Sequence, residues 1–144
     1  MRTSKVDVTY AVSLPESIDE NTLKLILEEI LIDKKAEIIL NLIVTNDNDL
    51  KRLNQKFRGL NNPTDVLSFD LSDAVHPCDQ KSGEIYISFE QARKQSIETH
   101  RSFQKIIAQL AVHGTLHLLG FEHYTETGHN QMQKQEINYL SRLK

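Results

Sequence analysis

The sequence predicts a single α+β domain over residues 1–144, in which a mixed sheet of about four strands is covered by about five helices. A chain of 144 residues with 39% hydrophobic content is suited to one domain with a substantial buried core. Strand-like runs alternate with helical patterns along the chain, and this alternation suggests βαβ units. No repeat, low-complexity tract or interdomain linker interrupts it.

The first half of the chain predicts two strands and two helices. Residues 6–12 alternate polar and apolar side chains, which is typical of a half-buried strand. Asp19 introduces a helix. Its inward-facing residues are Leu23, Leu25, Ile26, Ile30 and Leu31. Residues 36–44, rich in Ile and Leu, predict a buried strand, and Asn46 then caps a second helix that Gly59 terminates.

The second half predicts two more strands followed by three helices. The strands cover about residues 66–71 and 84–88. A helix begins at Phe89, and Ser102 is the expected N-cap of the next one. That helix carries an apolar stripe at helical spacing, formed by Phe103, Ile106, Ile107, Leu110 and Ala111. The last helix is expected over about residues 127–143.

The most informative pattern is H-x3-H-x5-H, formed by His113, His117 and His123. The first two imidazoles are one helical turn apart and therefore share a face. Gly120 can adopt a positive φ, which ends the helix and returns the chain toward the same ion. A lone histidine on an apolar face is usually a core residue, but three at this spacing favour a metal. Three nitrogen ligands leave a fourth position open for water, as in catalytic zinc sites.

Gly114 separates this pattern from the zinc metalloprotease motif H-E-x-x-H-x-x-G-x-x-H. The missing glutamate is the general base that peptide hydrolysis requires, and glycine cannot replace it. The motif therefore favours a different hydrolysis. A metalloprotease-like hydrolase remains one alternative, and a non-catalytic protein with a structural zinc remains another.

Positive charge is concentrated locally in a chain of net charge −3. Arg58 closes a helix beside Gly59, and its guanidinium offers a planar fork of donors that suits a phosphate. The two basic groups are Lys51, Arg52, Lys56 and Arg58, and then Arg93, Lys94, Arg101 and Lys105. Such charges usually form solvated faces, so an RNA path along them needs further support.

Four segments carry a resemblance to a known family. They are Arg58-Gly59, Asn62-Pro63-Thr64-Asp65-Val66-Leu67-Ser68-Phe69, Gly83-Glu84-Ile85 and His113-Gly114-Thr115-Leu116-His117-Leu118-Leu119-Gly120-Phe121-Glu122-His123. Together they resemble the YbeY family over nearly the whole chain. Its members are bacterial metal-dependent endoribonucleases that act in ribosomal RNA maturation. The chain departs from the family pattern at Glu84 and Glu122, where Asp is common, and at Asp70, where Pro is common.

The resemblance implies one zinc ion per chain, bound by His113, His117 and His123, with Arg58 as the basic residue needed for activity. It also implies a preference for single-stranded RNA, a role at the 3′ end of 16S ribosomal RNA and in ribosome quality control, and binding to the ribosome. In this mechanism zinc-activated water and Arg58 act at the scissile phosphate. The attacking group is either that water or the RNA 2′-hydroxyl.

A reducing, cytoplasmic location is expected. The single cysteine, Cys78, excludes an internal disulfide. No signal peptide is evident after Met1, and no apolar run approaches membrane-spanning length.

Overall fold

The computed structural model describes residues 5–14, 18–59, 64–71, 81–121 and 125–142. These residues contain four strands and five helices. The strands are β1 (Lys5–Tyr10), β2 (Ile38–Thr45), β3 (Val66–Asp70) and β4 (Lys81–Ser88). The helices are α1 (Glu20–Asp33), α2 (Asp47–Arg58), α3 (Phe89–Thr99), α4 (Phe103–Leu118) and α5 (Glu126–Leu140). The predicted α+β class is confirmed. Within these ranges, no helix is long and apolar enough to cross a membrane.

The strands form one mixed sheet in the order β1-β2-β4-β3. β2 pairs in parallel with β1 and with β4, whereas β3 runs antiparallel to β4. Parallel neighbours need a crossover connection, and α1 supplies the one between β1 and β2. In the register, Leu42 lies opposite Ile85, and Phe69 lies opposite Glu84.

Local capping signals set most helix ends. The side chains of Asp19, Asn46 and Ser102 each accept a hydrogen bond from the backbone N–H three residues ahead, as expected for N-caps. Gly59 ends α2 at a φ of 70°, in the left-handed region that glycine adopts without strain.

The bounds of several predicted elements differ from the structure. β4 begins at Lys81 instead of residue 84, because its polar first residues pair with β2 from Ile38 onward. β1 covers Lys5–Tyr10 instead of residues 6–12. α5 begins at Glu126, since Thr125 accepts the capping hydrogen bond from Gly128, and it ends at Leu140.

The two faces of the sheet are covered differently. Val66 and Ser68 of β3 point toward α4, so the alternate residue Phe69 points to the opposite face, where it contacts Phe57 of α2. We call the face toward α4 the inner face and the face toward α2 the outer face. α4 also packs against α1, α3 and α5 and is the central helix of the inner side. Fully buried core residues of this side include Leu27, Ile30, Leu40, Leu42, Ile85, Ile107, Val112 and Leu116.

Gly114 brings α4 close to the sheet. A Cβ atom at this position would lie 2.9 Å from Ile85 Cγ2, 3.1 Å from Ser68 Oγ and 3.2 Å from Val66 Cγ2. The Ser68 hydroxyl also donates a 2.9 Å hydrogen bond to the carbonyl of Gly114. Helix and sheet are therefore in contact at a position where no side chain fits.

We expect Gly114→Ala to lower the free energy of unfolding by about 1–2 kcal/mol, because overpacking outweighs the gain in helix propensity. Gly83→Ala is the matched control. Its Cβ would meet chiefly Leu118 Cδ2, at 2.5 Å, the movable end of a flexible side chain, so its loss should be smaller. Urea unfolding of both variants measures the difference. A Gly114→Ala protein as stable as the unaltered chain would contradict the argument.

Candidate active site

His113 and His117 lie on the last two turns of α4 with their rings nearly parallel. The ring centroids are 6.4 Å apart and the ring planes differ by 9°. Both side chains are half-buried, so their rings are held by packing while remaining accessible at one edge. The predicted geometry of two imidazoles on one helix face is confirmed.

Each ring uses its Nδ1 atom for a hydrogen bond within the protein. Nδ1 of His113 lies 2.5 Å from Oε1 of Glu136 on α5, and Nδ1 of His117 lies 3.1 Å from the carbonyl oxygen of Phe121. Both partners accept, so Nδ1 carries the proton in each ring. In the neutral form of that tautomer the lone pair is on Nε2, the atom that would ligate a metal. The donor chemistry of both histidines therefore fits zinc.

The backbone turn at the end of α4 places the Phe121 carbonyl next to the His117 ring. The N–H of Gly120 donates to the carbonyl of His117, and the N–H of Phe121 donates to that of Leu116, which together form a Schellman motif. The motif requires a positive φ at Gly120, and the observed value is 102°. The predicted turn at Gly120 is confirmed, and it also orients the imidazole of His117.

The environment of His113 favours a positive charge on its ring. The hydrogen bond to Glu136 raises the pKa of His113 above its usual value, burial opposes this, and the charges of Glu136 and Asp65 raise it further. A carboxylate beside a ligating histidine also increases the basicity of the ring and fixes its orientation.

Gly114 stands where a zinc metalloprotease has its catalytic glutamate. Its buried position against β3 and β4 leaves no room for a side chain, and it faces the sheet. The absence of the peptidase base is thus tied to the packing of α4.

Arg58 comes from a different element than the two histidines. It is the exposed last residue of α2, whereas His113 and His117 belong to α4. β3 follows α2 in the chain, and its residues Val66 and Ser68 approach α4 at Gly114.

The third predicted ligand, His123, lies in residues 122–124, outside the described residues, so its role stays a prediction. Cys78 and part of the Asn62–Phe69 motif also lie outside them. Among the residues that are described, no group of three His, Cys, Asp or Glu side chains is placed to hold a metal ion.

A sequence model of the family described as Endoribonuclease YbeY matches residues 6–144. The chain belongs to the YbeY family. It is 35% identical to the endoribonuclease YbeY of Desulforamulus reducens, over 88% of this chain and 90% of that protein. It is 40% identical to that of Desulfitobacterium hafniense, over 76% and 73%.

The fold is similar to a solution structure of a protein from Thermotoga maritima, with a TM-score of 0.62 and 26% identity. The match covers 94% of this chain and 87% of that one. The resemblance to the YbeY family, seen from the sequence motifs, is thus confirmed. This YbeY-family chain is a hydrolase of the endoribonuclease class, and RNA is its substrate class.

Two carboxylates of this YbeY-family site were not among the predicted site residues. Glu136 reaches His113 across 23 residues of sequence, through the packing of α5 on α4. Asp65 is close enough to influence the charge of His113, and its Oδ2 accepts a 2.9 Å hydrogen bond from Gln95 Nε2. Asp65 belongs to a segment that carries the family resemblance, whereas no local pattern around Glu136 indicates its position.

We expect Glu136→Gln to lower the pKa of His113 in the metal-free protein, because the ring loses its charged acceptor and a nearby negative charge. A pH titration of the histidine ring resonances by NMR measures this. Glu126→Gln, at the exposed start of the same helix, is the matched control and should leave the His113 pKa unchanged. An unaltered His113 pKa in Glu136→Gln would show that the ion pair is absent in solution.

Proposed function

We propose that this chain is a zinc-dependent endoribonuclease that prefers single-stranded RNA and matures the 3′ end of 16S ribosomal RNA. The supporting observation is the pair of parallel imidazoles at the end of α4, each with its Nδ1 atom engaged by an acceptor. That arrangement suits a metal at Nε2, because ligating histidines usually donate their other ring N–H to a carboxylate or a backbone carbonyl.

His113, His117 and His123 would hold the ion, and three imidazoles suit zinc. When bound, zinc supplies Lewis-acid chemistry, lowering the pKa of water and stabilising negative charge on a phosphate oxygen. Glu136 and the Phe121 carbonyl keep the two described rings in one tautomer and one orientation.

Arg58 would neutralise the negative charge that develops on the scissile phosphate. Its guanidinium offers two parallel donors to a phosphate, and its exposed position at the end of α2 leaves it able to reach a bound strand. The attacking group is water or the RNA 2′-hydroxyl.

The proposed partners are ribosomal RNA and the ribosome, and the proposed location is the cytoplasm, where ribosomes mature. A function in ribosome quality control belongs to the same proposal. The support for these points is membership of the YbeY family together with the shared motifs around Arg58 and the histidines.

We expect His117→Ala to reduce zinc affinity and RNA cleavage by roughly 100-fold or more, since even losing an outer hydrogen-bond partner costs about 10- to 100-fold. His129→Ala, an exposed histidine on α5, is the matched control and should retain both. Elemental analysis and cleavage of a ribosomal RNA precursor measure the two effects. Full cleavage by metal-stripped His117→Ala protein would exclude the zinc mechanism.

We expect Arg58→Glu to lower the cleavage rate by roughly 100- to 1,000-fold, the usual cost of losing one group that stabilises transition-state charge. Zinc content should be unchanged, because Arg58 lies on a different element from the histidines. Lys134→Glu, a charge reversal at an exposed position of α5 outside both basic groups, is the control and should retain cleavage. Loss of zinc in Arg58→Glu would instead assign this residue a structural role.

The same preparations distinguish this proposal from its two alternatives, a metalloprotease-like hydrolase and a non-catalytic ribosome-assembly factor with a structural zinc. A metalloprotease-like hydrolase would cleave a peptide library, which Gly114 argues against. A structural zinc would be bound by four protein ligands, and X-ray absorption counts them.

A further inference from the structure

We infer that the outer face of the sheet beside α2 binds a single strand of RNA, with the ring of Phe57 stacked on an unpaired base. This surface would hold the substrate outside the cleavage site. The inference rests on the proposed function for its RNA substrate, but it requires neither zinc nor the histidines.

An aromatic ladder crosses this part of the outer face. The ring of Phe57 lies 5.1 Å from that of Phe69, tilted by 59°, and Phe69 lies 5.8 Å from Tyr86 in an edge-to-face arrangement. Phe69 and Tyr86 are half-buried, but 57% of Phe57 is exposed. The other large hydrophobic residues that are exposed within the described ranges are aliphatic: Leu25, Ile32, Ile97 and Ile137. Phe57 is therefore a supported aromatic ring that is open to solvent.

A cation lies beside this ring, within a basic segment of the helix. The segment from Lys51 to Arg58 contains four basic residues and no acidic one. Nζ of Lys56 lies 5.3 Å from the centre of the Phe57 ring. Positive charge next to an exposed aromatic ring is the arrangement that single-stranded nucleic acid recognises, because phosphates meet the cations while bases stack on the ring.

The two aspartates at the start of α2 have partners within the protein. Asp47 accepts hydrogen bonds from the side chains of Ser88 and Gln91. Asp49 accepts one from Thr45 and pairs with Arg52. The charges of Asp49 and Arg52 therefore largely cancel, and Lys51, Lys56 and Arg58 supply the net positive charge of the segment.

A cleft of about 400 Å³ continues the surface between α2 and the sheet. Ile43, Leu53 and Tyr86 give it an apolar lining. Asp49 and Arg52 also line it and pair with each other, so Lys56 is the cation of the lining that this pair does not neutralise. Apolar walls with cations suit unpaired bases joined by phosphates, whereas the bases of double-stranded RNA are not accessible for stacking.

One carboxylate limits where the strand can run. Glu84 accepts a 3.1 Å hydrogen bond from the Tyr86 hydroxyl, and it lies opposite Phe69 in the sheet register. Phosphates would avoid this side, so the RNA backbone should follow α2 and its cations.

The test is fluorescence anisotropy of the full-length protein with a labelled single-stranded oligoribonucleotide in the presence of a chelator. We expect Phe57→Ala to weaken binding about tenfold, the usual effect of losing one stacked base. Phe57→Leu, which keeps apolar volume against Phe69, should weaken it similarly, and Phe57→Tyr should bind normally. Ile97→Ala, an equally exposed apolar residue on α3, is the matched control.

A strand of the same length that lacks bases distinguishes stacking from charge. The unaltered protein and Phe57→Ala should bind this abasic strand equally, whereas Lys56→Gln should weaken binding to both strands. Normal binding of the complete strand by Phe57→Ala would overturn the inference. The exposed aromatic surface would then be better explained as a binding site for a protein. An equal loss on the abasic strand would also overturn the inference.

The zinc-dependent cleavage and the RNA binding at Phe57 can be disproved independently of each other. Binding is measured without metal, so cleavage by metal-stripped His117→Ala would leave the binding result intact. Conversely, an unimportant Phe57 would not affect the zinc mechanism.

Discussion

The candidate site depends on the close packing of α4 against the sheet at Gly114. With no side chain at Gly114, the helix packs closely against Ile85 and Val66, and the Ser68 hydroxyl donates a hydrogen bond to the Gly114 carbonyl. This contact fixes the rotation of α4 about its axis. The ring of the preceding residue, His113, is thereby directed to Glu136 on α5.

The same constraint links packing to chemistry. A glutamate in place of Gly114 would turn the motif into that of a zinc peptidase, but the sheet occupies the space that its side chain would need. The carboxylates of this site come from other elements instead. Glu136 orients a ring that could ligate metal, and Asp65 adds negative charge near it. Such a site offers two imidazoles without a protease base, which agrees with the endoribonuclease family of the chain.

Local signals in the sequence were sufficient for most of the fold and for part of the site. Asp19, Asn46 and Ser102 cap helices through contacts three residues away, and Gly120 turns the chain directly after α4. Contacts between distant segments were not predictable from spacing. The start of β4 depends on pairing with β2, and the approach of Glu136 to His113 depends on how two helices pack. The strand order β1-β2-β4-β3 likewise depends on contacts between distant segments, which the sequence pattern does not encode.

The central proposal is that one zinc ion is bound by His113, His117 and His123, through Nε2 of the first two. Long-range ¹H–¹⁵N NMR correlations of the histidine rings, recorded while zinc is added to the ¹⁵N-labelled protein, test it most directly. The account predicts saturation at one equivalent with three rings shifted by the metal, and with Nδ1 protonated and Nε2 shifted in His113 and His117. Rings that keep their metal-free spectra at excess zinc, or zinc binding through Nδ1 of His113 or His117, would contradict the account.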